Sequence, residues 1–339
     1  MTSRLDYVDV AKGIATICVI LGHLSVTPRP LVIWIYTFHI PLFFLLSGFV
    51  LNLDKYPTFL SFFTDKVKKL LIPYLWLSVL TWIWIYCVRD FSINKNSLIK
   101  FIGIFICAKD TPYYLSLWFI MSLFFSQILL YILLRCLSEK GKLIKICLCF
   151  VVGVFISSIY KPGWIWALDT VPMATFFLGL GYCLREKREK MNDFLQLKFF
   201  FVSFPLNVIC GYFNFINHNR SDLFYQNIGQ PILYVISALF GIWMILILSK
   251  LIHHSKTLSY IGKNSLVFYA FHRPIFIPIV MKFLSLMSQK YKIFTHNMVQ
   301  TLLSVFMICI GLFLLNELID RYFPFILNKK RRKIEIKEL

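Results

Sequence analysis

The sequence predicts an all-α, polytopic membrane protein of about ten transmembrane helices with both termini in the cytoplasm. Of its 339 residues, 58% are hydrophobic and the mean hydropathy is +0.71, far above a soluble chain. Apolar runs long enough to span a bilayer recur along the whole length. With spans near 10–27, 33–53, 70–88, 114–135, 143–160, 164–184, 197–214, 229–249, 264–283 and 297–320, the loops on the side of the termini hold 24 Lys and Arg and the opposite loops 10. That bias makes the terminal side cytoplasmic. The chain reads as one integral-membrane domain, 1–339, with a short basic cytoplasmic tail, 321–339. The first apolar run lacks the short h-region and small-residue cleavage site of a signal peptide. The net charge of +20 reads as basic loops that fix topology and touch anionic lipid, not as a nucleic-acid surface. The nine cysteines sit mostly in apolar runs without a CxxC, as small apolar residues and not metal ligands.

Span 1 carries an acid, a lysine and a histidine in Asp9–His23, DVAKGIATICVILGH. Lys12 and His23 are eleven residues apart, about 20° past three helical turns and roughly 16 Å along the axis, so they share a face with Thr16 between them. If the helix enters the bilayer near Lys12, His23 lies past the midplane. Ionisable groups at such depth are costly and face a protein interior or a wet cavity. Span 2 opens with Phe38-His39-Ile40-Pro41, which puts His39 at a depth comparable with His23, beside a proline that removes a backbone donor. Three lysines, Lys66, Lys68 and Lys69, sit at the cytoplasmic mouth of span 3. They read either as a stop-transfer cluster or as a phosphate-binding patch.

Ser97–Cys107 is apolar but too short to span, which predicts an interfacial or re-entrant segment. Tyr113, Tyr114 and Trp118 start span 4, either as an interfacial aromatic belt or as a platform for a sugar ring; Trp164 and Trp166 carry the same pair of readings. Asp169, inside span 6, needs a partner, through a structural ion pair or by orienting a histidine. The loop Phe215–Gly229 holds Asn219, Arg220, Tyr225, Gln226 and Asn227; it could meet a hydrophilic acceptor, though most such loops are solvated. Span 9 starts at Asn264 or Ser265 as a cap, with Ser265, Tyr269 and His272 on one face. His272 falls near mid-membrane, and the following Arg273-Pro274 predicts a kink. Asn316, Glu317 and Asp320 end span 10, where the acids can pair with basic loops.

Several of these stretches resemble the motifs of acyltransferase family 3, the bacterial integral-membrane O-acyltransferases. Tyr7-Val-Asp9-Val-Ala-Lys12-Gly13 leading to Leu21-Gly22-His23 is similar to the family's first-helix signature, a basic residue, ten residues and a histidine. Phe38-His39-Ile-Pro-Leu-Phe-Phe-Leu-Leu-Ser-Gly48, the segment Lys66–Tyr74, Leu117-Trp118-Phe119, and Tyr260-Ile-Gly-Lys-Asn-Ser-Leu266 with His272 resemble its further motifs. The wording is closest to the branch that includes fucose 4-O-acetylases. Where family members often carry arginines before span 3, this chain has lysines, point charges without the bidentate fork.

The resemblance implies a bacterial inner-membrane O-acetyltransferase that moves an acetyl group from cytoplasmic acetyl-CoA to a hydroxyl of a cell-surface or lipid-linked sugar, with no metal. It assigns His23 the essential catalytic role and gives Lys12 a supporting one. His39 and His272 are competing bases, and Asp169 could orient one of the rings. Lys66, Lys68 and Lys69 would hold the CoA phosphates. A histidine suits the chemistry because an alcohol becomes a good nucleophile only when a base takes its proton. Direct transfer and an acetylated histidine use the same residue. Two other classes fit parts of the pattern. A transporter or flippase of glycan intermediates would also carry intramembrane charges. A non-catalytic scaffold would leave the polar stripe of span 1 without a use.

Overall fold

The molecule is built on α1 (Asp6–His23), most of whose residues are buried. Asp6 and Asp9 in its first turn complement the helix dipole. The computed structural model describes residues 6–107, 117–137, 140–159, 163–291 and 297–329. Tyr113, Tyr114 and the basic end of the tail from residue 330 onward lie outside them. The predicted first span runs to residue 27, but the helix stops at His23. Leu24 and Thr27 close consecutive turns on Leu21 and Leu24, and Pro28 holds the residue before it away from the helical region. His23 therefore sits at the end of α1 and not in its middle.

The second crossing is two helices, α2 (Arg29–Tyr36) and α3 (His39–Phe49). They are separated by a break at Thr37–Phe38, and Pro41 falls in the first turn of α3, where its missing N–H costs no helical bond. α4 (Phe59–Arg89) is long and interrupted by wide π turns at Val67–Leu71 and Trp84–Arg89. α5 (Lys95–Ile106), capped reciprocally by Asn94 and Ser97, does not cross. It lies against α4 through Tyr74 Oη donating to the Ile104 carbonyl at 2.6 Å, with Leu98, Ile99 and Ile102 exposed. There follow α6 (Trp118–Leu137), α7 (Lys142–Ile159), α8 (Ile165–Glu186), α9 (Leu197–His218) and α10 (Pro231–Leu251). The chain ends with α11 (Lys256–Lys263), α12 (Ser265–Ser288) and α13 (Asn297–Tyr322).

Nine helices among the described residues are long and apolar enough to cross a membrane, counting α2 and α3 together. With the more charged α1 they account for the ten predicted spans. α7, α9 and α13 turn side chains such as Ile144, Phe201 and Phe306 outward, the surface a bilayer requires. Asn264 holds the expected N-cap position of α12, but its side chain makes no capping bond and donates to the Tyr260 carbonyl instead, and Ser255 caps the separate helix α11 by accepting from Leu258 N–H. Of the acids of the last span, Asp320 finds the expected basic partner and Glu317 a tyrosine. Asp320 pairs with Lys329 at 2.8 Å, and Glu317 accepts from Tyr260 Oη at 2.6 Å.

Two helix crossings bring backbone onto backbone. α1 packs on α11, where a Cβ on Gly13 would stand 2.1 Å from the Leu258 carbonyl oxygen and one on Gly262 1.8 Å from that of Asp9. α3 packs on α8, where a Cβ on Gly48 would stand 1.8 Å from the Leu178 carbonyl oxygen and one on Gly181 1.9 Å from that of Leu45. Small residues at such crossings are how membrane helices approach closely. The glycines of the first, second and ninth-span motifs are thus contact points. We expect Gly262→Ala to destabilise the protein by about 1–3 kcal/mol, the usual range for overpacking, because backbone and not a flexible side chain must move. The check is the thermal midpoint of the purified protein in detergent; an unchanged midpoint would contradict it.

Candidate active site

Three histidines from different helices converge at the end of α1. His39 is the first residue of α3, and its position follows from the break before it. Asn207 of α9 accepts from Trp34 Nε1 at 2.7 Å and donates to Thr37 Oγ1 at 3.0 Å and the Ser237 carbonyl at 2.8 Å. Phe38 is fully buried where a Cβ on Gly241 would reach it at 2.6 Å. The break leaves the Ile35 carbonyl to accept both Phe38 N–H at 3.2 Å and His39 Nδ1–H at 2.9 Å.

His272 begins a π turn, His272–Phe276, in α12. The predicted kink takes this form because the wide turn accommodates Pro274, which has no N–H to give; π turns recur at functional sites. His272 is fully buried, and its Nδ1 lies 2.8 Å from the Tyr269 carbonyl and 3.1 Å from that of Phe268. Carbonyl oxygens only accept, so Nδ1 carries the proton in both His39 and His272, and Nε2 of the neutral ring keeps its lone pair. Nε2 of His272 has no hydrogen-bond partner among the described residues. The His23 and His272 rings stack at 5.2 Å between centroids.

His23 and His39 line a cavity of about 210 Å³ together with Tyr36, Trp118, Tyr269, Arg220 and Arg273. The loop between α9 and α10 forms one wall, and it is not the solvated loop its composition suggests. Asp222 and Asn227 exchange backbone hydrogen bonds at 2.6 and 3.0 Å. Asn214 of α9 donates to Ser221 Oγ and the Ile228 carbonyl and accepts from Gln230 N–H. Asn227 donates to the His218 and Arg220 carbonyls. Arg220 lies 3.9 Å over the Tyr36 ring and donates to Asp222 Oδ2 at 2.9 Å. Burial pushes the Asp222 carboxyl above its ordinary value, and the Arg220 guanidinium opposes the shift. Trp118 is buried in this wall against Phe224, which corrects its reading as a belt residue. Trp166 donates to the Phe105 carbonyl and stacks on Phe125, while Trp164 is exposed.

The remaining predicted residues lie elsewhere. Lys12 is half-buried eleven residues back along α1, where its carbonyl accepts from Thr16 Oγ1 at 2.8 Å. Asp169 is fully buried at the start of α8, accepts from Gly163 N–H at 3.5 Å and does not line the histidine cavity. Backbone carbonyls, not this carboxylate, orient the His39 and His272 rings. Lys66 is buried within 5.2 Å of the Tyr56 and Phe62 ring centroids and 3.5 Å from Asp65. Lys69 pairs with Asp65 at 2.8 Å but stays exposed, as does Lys68. Successive spans alternate in direction, which puts these lysines on the face opposite the cavity. Among the described residues no group of three or more His, Cys, Asp or Glu side chains is arranged to hold a metal ion.

A cavity with histidine bases and arginine donors can deprotonate an alcohol and steady an oxyanion. The family model of acyltransferase family 3, described as an acyltransferase domain, matches residues 5–317. The chain belongs to that family. The match is to the family as a whole and does not select the fucose 4-O-acetylase-like branch. No curated protein and no solved structure matches the chain. This family-3 chain is an integral-membrane acyltransferase. Its cavity includes residues that sequence reasoning missed as site residues. Tyr36 gave no signal. Arg273 had one, as a charge within a span beside a histidine. Arg220 and Asp222 sit in a loop whose polar composition did not distinguish a wall from a solvated turn.

Proposed function

We propose that this acyltransferase moves an acetyl group from acetyl-CoA to a hydroxyl of a cell-surface or lipid-linked sugar in the inner membrane of a bacterium. The observation that carries the reading is a cavity lined by His23, His39, Arg220 and Arg273, with His272 stacked on His23, in a chain of an acyltransferase family. His23 takes the hydroxyl proton as the oxygen attacks the thioester carbonyl. An arginine steadies the tetrahedral oxyanion, the C–S bond breaks, and the proton passes to the departing thiolate. In an acetyl-histidine route, the ring nitrogen attacks the thioester first and expels the CoA thiolate, and the sugar hydroxyl then takes the acetyl group, its proton returning to the freed imidazole. Mass spectrometry of surface glycans from a deletion strain tests the function: the acetyl increment should disappear. Unchanged acetylation with lost export would favour a transporter instead.

In this proposal both termini are cytoplasmic, as the Lys and Arg bias supports, and the donor enters from the face of Lys68 and Lys69. Reporters fused after Lys69 and after Lys190 are expected to read cytoplasm; a periplasmic signal from either would overturn the donor side. Lys68→Gln and Lys69→Gln should raise the KM for acetyl-CoA with a smaller change in kcat. Lys66→Gln should lower the thermal midpoint instead, because its ammonium is buried against the Tyr56 and Phe62 rings. Equal loss of kcat with donor KM unchanged would remove Lys68 and Lys69 from this role. Lys12 lies on the donor side of His23 along α1. Lys12→Arg should retain more activity than Lys12→Ala if its charge is what serves.

A further inference from the structure

A second cavity, of about 420 Å³, adjoins the histidine cavity and shares Arg220, Asp222 and Tyr225 with it. The three shared side chains belong to one hydrogen-bonded loop. The second cavity has a polar rim with Arg29, Asn219 and Asn227, and an apolar side made by Val32, Ile33 and Phe215. Its charge is unbalanced. Arg220 is already paired with Asp222 and stacked on Tyr36, so the carboxylate is taken. Arg29 is exposed at the first position of α2, and it makes no ion pair or hydrogen bond among the described residues. One uncompensated guanidinium above an apolar slot, next to an acyl-transfer site, calls for a ligand with an anion at one end and hydrocarbon beside it. The slot borders α9, whose Tyr212, Phe213 and Ile216 are exposed on the same turn region as Phe215, so a hydrocarbon tail has a path to the bilayer.

We propose that this second cavity is the acceptor's anchoring site and that it takes a sugar joined through a phosphate ester to a lipid tail. The phosphate sits at Arg29, the tail runs along Val32, Ile33 and Phe215, and the sugar reaches past Arg220 and Tyr225 to the histidines. Arginine suits this because its planar fork binds phosphate oxygens in pairs. The inference rests on the acyltransferase reading for the sugar end, whereas anchoring is measurable without any acyl donor.

The test measures thermal midpoints of the purified full-length protein in maltoside micelles. Its probes are decyl phosphate, decyl glucoside and inorganic phosphate at equal concentrations. Decyl phosphate should raise the midpoint, and the other two should raise it less. Arg29→Gln should weaken decyl phosphate binding by about tenfold, the loss expected for one charge-assisted contact. Arg29→Lys should keep part of the effect. Arg29 is exposed, so these variants are expected to fold, and their ligand-free midpoints verify it. An unaltered response in Arg29→Gln would overturn the site. An equal response to decyl glucoside would overturn the phosphate, and an equal response to inorganic phosphate would overturn the lipid-linked form. With acetyl-CoA present, decyl phosphoryl glucose should be acetylated with higher kcat/KM than decyl glucoside, and Arg29→Gln should narrow that difference. Intact, Arg29-dependent binding with no acetylation of either sugar would support the anchoring site and overturn the acetyl-transfer reading alone.

Discussion

His23→Gln is expected to lower kcat for acyl transfer by about 10²- to 10⁴-fold, the contribution of a positioned general base. Glutamine keeps a polar group of similar size at the cavity edge but has no titratable nitrogen. His23 ends α1 and is only half-buried, with its ring stacked on His272. The substitution therefore leaves the α1–α11 crossing at Gly13 and Gly262 untouched, and the thermal midpoint should move little. Donor binding should also survive, since the lysines proposed to hold it lie on the opposite face. The measurement is a pair, kcat and midpoint, on purified protein. Full activity in His23→Gln would transfer the role to His39 or His272, each of which presents Nε2 with Nδ1 held by a backbone carbonyl. Capture of an acetylated protein after brief exposure to donor would separate the two-step route from direct transfer. The trapped acetyl group should then map to the His23 peptide and be missing from His23→Gln.

The positions of the spans were legible because bilayer length and apolarity are local properties of a sequence. The histidines were legible for the same reason, as each is an ionisable residue inside an apolar run. What the pattern did not contain was the set of interruptions that aims them. The break at Thr37–Phe38 depends on Asn207 and Gly241, far along the chain, and without it His39 Nδ1 would not meet the Ile35 carbonyl. The helix α11 meets α1 backbone to backbone, an approach that Gly13 and Gly262 permit. The end of α1 at His23 was overrun because Leu24 and Val26 extend the apolar signal past the real helix. Asp169 drew attention as a lone intramembrane acid, yet hydropathy cannot say which neighbour a carboxylate faces. The cavity wall at 219–230 was the hardest part to read, since its order comes from Asn214 and Asn227 side chains bonding backbone groups, a pattern that composition hides.

Arg220→Ala is the second substitution with a large expected effect, and it acts on fold and chemistry by separable routes. Arg220 ties the loop to α2 through Tyr36 and pairs with the buried carboxyl of Asp222. Removing one partner of a buried pair strands the other; because Arg220 is itself 37% exposed, we expect a loss of about 1–3 kcal/mol, below the range for a fully buried pair. The loss should depend on pH with a definite sign. Burial already raises the Asp222 carboxyl, and Arg220 is the group that lowers it. Without the arginine the carboxyl moves further up, so the folded variant favours the protonated form. Its stability is then greatest in acid and falls as pH rises through the folded pKa of Asp222. Arg220→Gln combined with Asp222→Asn removes the titrating group while an amide oxygen still accepts from Phe224 N–H. The double variant should therefore recover most of the thermal midpoint and lose its pH slope. It should not recover acyl transfer, because Arg220 faces both cavities and is placed to contact the acceptor and the oxyanion. Recovery of stability and activity together would reduce Arg220 to a structural brace for the loop.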